Sequence, residues 1–431
     1  MQGHWIKRTA PAMAVVLLAV VMVIGLSAGS LFAYADTDEG AEDQTNTETT
    51  ETAAPDEQAA PVAEKARKVA ADGLAAKDAE EAEAARQAVK NPLTGIGGYN
   101  EKAVGKRPAA VVVENDPKAR PQWGIDDPKQ SPDIILEGEM EGGETRTLWL
   151  YADITAIPSQ VGPIRSARPP YVRFSELFDA IFIHCGKSPS SSDYVGADAV
   201  LVQDGVDHID MLTYGEGTLF GRDYSRTSML EHTAFLRGEK LTDAVGALGF
   251  RTDLQQSGMT TFTFTDEEEK EEAPVLGEGL AAKCRYETAL FAAPPKAEEP
   301  AGQPCSTLDV SFSSITPTKH WEYSETDGMY HSQDYYTDVA RTNVLLLFDE
   351  THYIVRANTW GSDPETYTNY EFAGGPAVLA YGGRVQDITW SVQDGKIVLK
   401  QENGEPAPLS PGKTWIGWCS SNHGGHTEIG E

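Results

Sequence analysis

Apolar positions along this chain fall into three regimes. The first is one continuous run from about Ala12 to Phe32, with Val-Val-Leu-Leu-Ala-Val-Val-Met-Val-Ile at its centre. Lys7 and Arg8 precede it, and Ala33-Tyr34-Ala35 follows before Asp36, a small-x-small cleavage pattern. The run is also long enough to span a bilayer if uncleaved. Residues 1–35 are therefore expected as a signal peptide or membrane anchor. Either places the rest of the chain outside the cytoplasm, because the nearby positive charges precede the apolar segment. No cysteine lies in this region, which argues against a lipid-modified anchor cysteine.

The second regime has almost nothing apolar to bury. Asp36 to Pro61 is Thr, Glu, Asp, Ala and Gln, a composition that cannot offset backbone entropy. From about Val62 the pattern turns to Ala, Lys, Glu and Arg, which favours a solvated helix polar on most faces. Residues 36–90 read as a disordered-to-helical stalk or a plain linker.

The third regime begins near Asn91 and is long enough for two ordinary domains. Pro108 to Val113 and Thr145 to Asp153 read as buried strands. Pro169 to Phe178 reads as a helix, with proline in its first turn and Tyr171, Phe174, Leu177 and Phe178 at helical spacing. Ala180 to His184 returns as a strand. Ser190 to Ser192 would cap a short helix toward Gly196. Glu231 to Leu248 reads as one helix closed by Gly249. Strands alternating with helices predict an α/β domain over 91–250. Residues 251–305, with the run Asp266 to Glu272 and Pro294-Pro295, read as a connector. Over 306–419 short alternating runs predict an all-β domain, punctuated by Asp327-Gly328, Gly382-Gly383, Asp394-Gly395 and Asn403-Gly404. Residues 420–431 read as a loose polar tail.

Charge changes the picture in one respect. The formal net charge is −31, much of it in the stalk, which argues against nucleic acid. Against that background the arginines of Gly162-Pro163-Ile164-Arg165-Ser166-Ala167-Arg168 and of Arg222-Asp223-Tyr224-Ser225-Arg226 stand out. Guanidinium groups kept in an acidic protein have acidic partners or bind an anion.

These same stretches carry a resemblance. Lys106 to Asn115, Pro117 to Gly124, Gly142 to Arg146, Gly162 to Arg168, Phe178 to His184, Arg222 to Arg226, Gly328 to Tyr330 and Ser410 to Ile416 are similar to the YerB-like family (domain of unknown function 3048). That family comprises exported, often lipid-anchored bacterial proteins. The resemblance implies an N-terminal and a C-terminal domain of that family and an envelope location, and it supplies no established reaction. The chain departs from the family's pattern in its missing anchor cysteine, in Leu230-Glu231-His232-Thr233 and in a longer, more acidic connector.

Candidate chemistry centres on the arginines. Arg165 and Arg168 precede a helix N-terminus, which attracts anions. Arg222 and Arg226 would supply a second clamp with Asp223 orienting one of them, and Arg120 and Arg146 would converge there. The competing reading pairs these arginines with Asp and Glu to hold loops together. His184 ends a strand, where α/β sheets place ligand contacts, and it is a candidate general base or a core histidine. Gly186-Lys187 lacks the upstream glycine of a phosphate loop, Ile181 standing there, and Gly412-Lys413-Thr414 has Ala407 in that place. Ser188 lacks the second glycine of a nucleophile elbow. The cysteines are Cys185, Cys284, Cys305 and Cys419, with no Cys-x-x-Cys pair. Export and proximity predict a Cys284–Cys305 disulfide. Asp204, Asp207 and Asp210 lack the glycine and distal glutamate of a calcium loop, and His423 and His426 sit in a polar tail. No metal or cofactor is implied.

These readings converge on an extracytoplasmic protein, tethered or secreted, that binds an anionic, phosphorylated envelope ligand. The expected anion site is Arg165, Arg168, Arg222, Asp223, Arg226 and His184, grouped at the C-terminal end of the Ala180–His184 strand. The alternatives are a phosphoryl- or glycan-transfer enzyme and a structural scaffold for protein partners.

Overall fold

The computed structural model describes residues 89–127, 130–265, 302–356 and 365–430. All of these residues lie in one compact unit. The expected signal or anchor segment and nearly all of the stalk fall outside these residues. No helix among the described residues is long and apolar enough to cross a membrane.

The strands in chain order are β1 Ala109–Glu114, β2 Ile134–Glu141, β3 Glu144–Tyr151, β4 Ile181–His184, β5 His208–Asp210, β6 Phe220–Arg222 and β7 Ala234–Leu236. The C-terminal half adds β8 Gln303–Pro304, β9 Thr307–Ser311, β10 Lys319–Ser324, β11 Met329–Ser332, β12 Val339–Arg341, β13 Asn343–Asp349 and β14 Thr351–Arg356. It continues with β15 Glu365–Tyr370, β16 Gly375–Tyr381, β17 Arg384–Gln393, β18 Lys396–Lys400, β19 Thr414–Ser420 and β20 His426–Gly430.

One large sheet runs through both halves in the order β18-β17-β16-β13-β19-β2-β3-β1-β4-β5. The joint is β19, which pairs in parallel with β13 on one side and with β2 on the other. A five-stranded sheet, β12-β11-β10-β9-β20, covers one face. The period of two along each strand explains this layering. Val111, Val113, Ile135 and Trp149 point to the face that packs Trp321 and Tyr330 of the small sheet and Tyr335 of the loop between β11 and β12. Ala110, Val112, Leu136, Leu148 and Leu150 point to the other face, under the helices Pro169–Glu176 and Ala197–Gln203. Strands buried on both faces read as continuous apolar runs, as Ala109 to Val113 does.

The mixed α/β N-terminal half and β-rich C-terminal half agree with the sequence reading. Three expectations do not hold. Glu231 to Leu248 is not one helix, because a 3-10 turn (Leu230–His232), β7 and a second turn (Gly238–Lys240) precede the helix Leu241–Leu248. Gly238 permits this break, since a Cβ there would lie 2.4 Å from Pro158 O. The helix does end at Gly249, which adopts φ +69. The tail after residue 420 is also not loose. Its β20 pairs antiparallel with β9, from His426↔Ser311 to Gly430↔Thr307. Finally, Ser190 to Ser192 do not cap the short helix directly. Gly196 is its N-cap residue, and Ser188 Oγ accepts the Ala197 N–H at 3.0 Å.

Candidate functional site

β1, β2, β4 and β5 run the same way and end together, bringing Glu114, Glu141, His184 and Asp210 to one edge of the sheet. β3 runs opposite and begins there, so Arg146 sits beside both Glu114 and Gly138 in register. Ligands in open α/β sheets bind outside such carboxyl ends. The 162–168 loop threads this edge. Arg165 N donates to Val112 O, Cys185 N donates to Arg165 O, and Ala167 N donates to Gly186 O.

The first arginine pair is turned inward. Arg168 Nε and Arg146 Nη2 grip the two carboxylate oxygens of Glu141, the latter at 3.0 Å. Arg165 Nε lies against Glu114 Oε2, without a well-aimed hydrogen bond. Arg146 Nη1 donates to Ser166 O at 3.1 Å and Arg168 Nη1 to Ala167 O at 2.9 Å. The Arg168 guanidinium also lies 5.4 Å from the Tyr367 ring centroid. Burial pushes the Glu141 carboxyl up, but Arg146, Arg168 and Arg165 outweigh it, and the net shift is downward. The Arg168 guanidinium is pushed down by burial, against the pull of Glu141. Arg165 and Arg168 thus lie together with Arg146, around carboxylates that sequence reasoning did not single out. Glu114 ends an apolar strand and Glu141 follows a β-bulge, so local pattern gave no signal that they face these cations.

His184 is fully buried. Its Nδ1 is 2.7 Å from Gly186 O and its Nε2 is 2.9 Å from His208 Nδ1. A carbonyl only accepts, so the network assigns the proton to His184 Nδ1, and His184 Nε2 accepts from His208. Burial pushes the imidazole down to about 4, with Asp210 opposing. Both ring nitrogens are engaged, as in a core histidine.

The second arginine motif splits. Arg222 Nη1 donates to Leu230 O at 2.6 Å and Thr233 Oγ1 at 3.2 Å, while Nε lies 3.2 Å from Glu216 Oε1. Its Nη2 is 3.9 Å from Cys185 Sγ, which links it to the edge. Burial raises the Cys185 thiol more than Arg222 lowers it, so it is held as the poorly nucleophilic thiol. Asp223 caps its own turn, accepting from Ser225 N at 3.0 Å and from Ser225 Oγ. It does not orient a guanidinium by direct contact.

Arg226 is held by the segment from Ala119 to Trp123. Its Nη2 donates to Ala119 O and Pro121 O, and its guanidinium carbon lies 4.2 Å above the Trp123 ring. There it lines a surface groove of about 620 Å³ that also contains Arg120 and Lys118. Arg120 is pinned by carbonyls, Nε and Nη2 to Asn115 O and Nη1 to Asp334 O. Among the described residues neither Arg120 nor Arg226 has a carboxylate within ion-pair distance. Asp223 acts on Arg226 only from further off. The signal for this groove was Pro117 to Gly124, whose Trp123 and Arg120 follow directly on β1.

The remaining candidates stand apart. Asp207 pairs with Arg107 and Asp210 with Lys187, and Asp204 is the C-cap residue of the helix Ala197–Gln203. His423 Nδ1 lies 2.9 Å from Thr351 Oγ1, and His426 Nδ1 lies 3.0 Å from Gly424 O. Cys305 is buried, with Sγ 3.3 Å from Thr307 O. Cys284 lies outside the described residues.

Two family models match the chain. The N-terminal domain of a protein of unknown function (DUF3048) matches residues 93–251, and the C-terminal domain matches 308–416. A curated relative from Bacillus subtilis (strain 168), named "Putative lipoprotein YerB", is 28% identical over 332 residues, covering 76% of this chain and 85% of the relative. The crystal structure of YerB protein from Bacillus subtilis aligns with TM-score 0.57 and 24% identity over 79% of this chain and 99% of that one, a likeness of fold. The ordered match of both domains on one continuous sheet places this chain in the DUF3048 family.

Proposed function

We propose that this protein is a non-catalytic binding protein of the cell envelope, and that it receives an anionic ligand in the Arg120–Arg226 groove. The carrying observation is the partition of the arginines. Glu141 and Glu114 neutralise Arg146, Arg165 and Arg168, whereas Arg120 and Arg226 line an open groove, held by backbone carbonyls and aromatic faces. Carbonyls fix a guanidinium without cancelling its charge. Arg226 keeps Nε and Nη1 without partners among the described residues, two separate charged donors for phosphate or carboxylate oxygens.

The envelope location draws on the apolar segment before residue 33 and on the lipoprotein name of the relative. The N-terminal segment is then the contact with the membrane, if it stays uncleaved. The engagement of both His184 nitrogens and the raised Cys185 thiol favour binding over catalysis.

Calorimetric titration with inorganic pyrophosphate tests the proposal. Binding should weaken with added salt. Arg226→Ala should weaken it about tenfold or more, as a charge-assisted hydrogen bond implies, with the melting temperature unchanged. Equal affinity in Arg226→Ala and the parent would overturn the proposal.

A further inference from the structure

The chemistry of the groove's other residues narrows the ligand class, an inference that rests on the anion-binding reading just given. Besides its cations the groove presents Gln122, Asp126, Asp127, Gln130, Ser159 and Gln160. Two carboxylates beside the cations offset part of their pull on a bare anion. Carboxylates only accept, so an occupant that meets Asp126 or Asp127 must also bring donors.

Gln122 sharpens this. Its side-chain Nε2 donates to Glu114 O at 3.0 Å and to Asn115 Oδ1 at 2.9 Å, which fixes the orientation of the amide. Its Oε1 is buried and has no partner among the described residues. An unsatisfied buried acceptor is costly and marks a place where a donor is wanted. Asp126 Oδ2 accepts from Thr337 Oγ1 at 3.1 Å, which pins that carboxylate at the rim. The groove therefore opposes cationic donors at Arg120 and Arg226 to acceptors at Gln122 and Asp126.

We infer that the ligand is an anion carried on a polyhydroxyl frame, a phosphorylated or carboxylated sugar. The anionic group meets Arg226, and hydroxyls donate to Gln122 and Asp126. A single ammonium would leave most of the amide lining unused. It would also face a groove in which Lys118, Arg120 and Arg226 outnumber Asp126 and Asp127.

Calorimetry on the full chain with α-D-glucose 1-phosphate, inorganic phosphate, glucose and O-phosphoethanolamine tests this. Glucose 1-phosphate should bind about tenfold tighter than phosphate, the gain of one or two hydrogen bonds. Asp126→Asn should erase about half of that advantage, read on a logarithmic scale, without weakening phosphate. Arg226→Ala should weaken both. Equal affinity for phosphate and glucose 1-phosphate, both lost in Arg226→Ala, would overturn the sugar class and leave the anion site standing. Tighter binding of O-phosphoethanolamine would replace the sugar with a zwitterion. No binding by any of the probes would overturn the anion site along with the sugar.

Discussion

Replacing Glu141 by glutamine removes one charge and strands two. Arg146 is 4% exposed and Arg168 14% exposed at the side chain, and both lean on this carboxylate, itself 21% exposed. Breaking a buried ion pair from one side costs about 3–5 kcal/mol. The partial exposure of Glu141 places the loss at the lower end, about 3 kcal/mol. Unfolding entropy is about 2.1 cal/mol/K per residue, so a body of roughly 300 residues has about 0.6 kcal/mol/K. Glu141→Gln should then lower the melting temperature by about 5 °C. The pH dependence has a fixed sign. A carboxyl held below its ordinary value of 4.5 contributes its stability in full above that value and loses it as pH falls through the lower, folded value. Scanning calorimetry from pH 7 down to pH 3 should show the gap between parent and variant closing below pH 4.5. Adding Arg168→Met to Glu141→Gln should recover part of the loss, because one stranded cation is gone. A melting temperature within 1 °C of the parent at pH 7 would refute the reasoning, since the network would then be screened by solvent rather than buried.

Three further outcomes follow from the same structure. His184, pushed down to about 4 by burial, stays neutral when folded while the unfolded chain protonates near 6.5. Stability should therefore fall by about 3 kcal/mol between pH 6.5 and 4, and a fluorescence-monitored denaturation series should show His184→Asn flattening that slope. Cys185 is only partly buried, yet its raised thiol should alkylate more slowly than a free cysteine at pH 8, which timed mass spectrometry of labelled peptides reads directly. Gly162 adopts φ +148, and a Cβ there would lie 2.8 Å from Ala234 O. Gly162→Ala should lower the melting temperature by several degrees, and an unchanged value would show that the 162–168 loop relaxes freely.

Strand positions were legible where burial was two-sided. Ala109 to Val113 and Val344 to Leu347 are apolar on both faces, and both are strands. The pairing of β19 with β2 was not legible, because it joins residues near 416 to residues near 136 and no local pattern encodes that register. β2 itself was missed because Glu137, Glu139 and Glu141 break its apolar run. Glu137 is nonetheless buried, accepting from Asn115 Nδ2 at 2.7 Å and Tyr335 OH at 2.6 Å. β20 was missed because its residues are polar and its order comes from edge pairing with β9. The arginine motifs were visible as cations in an acidic chain. Their fates were not, since those depended on Glu114 and Glu141 at the ends of distant strands. Within one short motif Arg222 stays at the sheet edge and Arg226 reaches the groove, a split set by Leu230 O and Thr233 on one side and Ala119 O and Pro121 O on the other.

The partition of the arginines is tested most directly by measuring two variants side by side, Arg168→Ala and Arg226→Ala, each for melting temperature and for pyrophosphate affinity by calorimetry. The account predicts that Arg168→Ala lowers the melting temperature by several degrees and leaves the affinity of the folded protein unchanged, while Arg226→Ala keeps the melting temperature and weakens binding about tenfold. An Arg168→Ala protein that melts like the parent but no longer binds, beside an Arg226→Ala protein that binds normally, would contradict it.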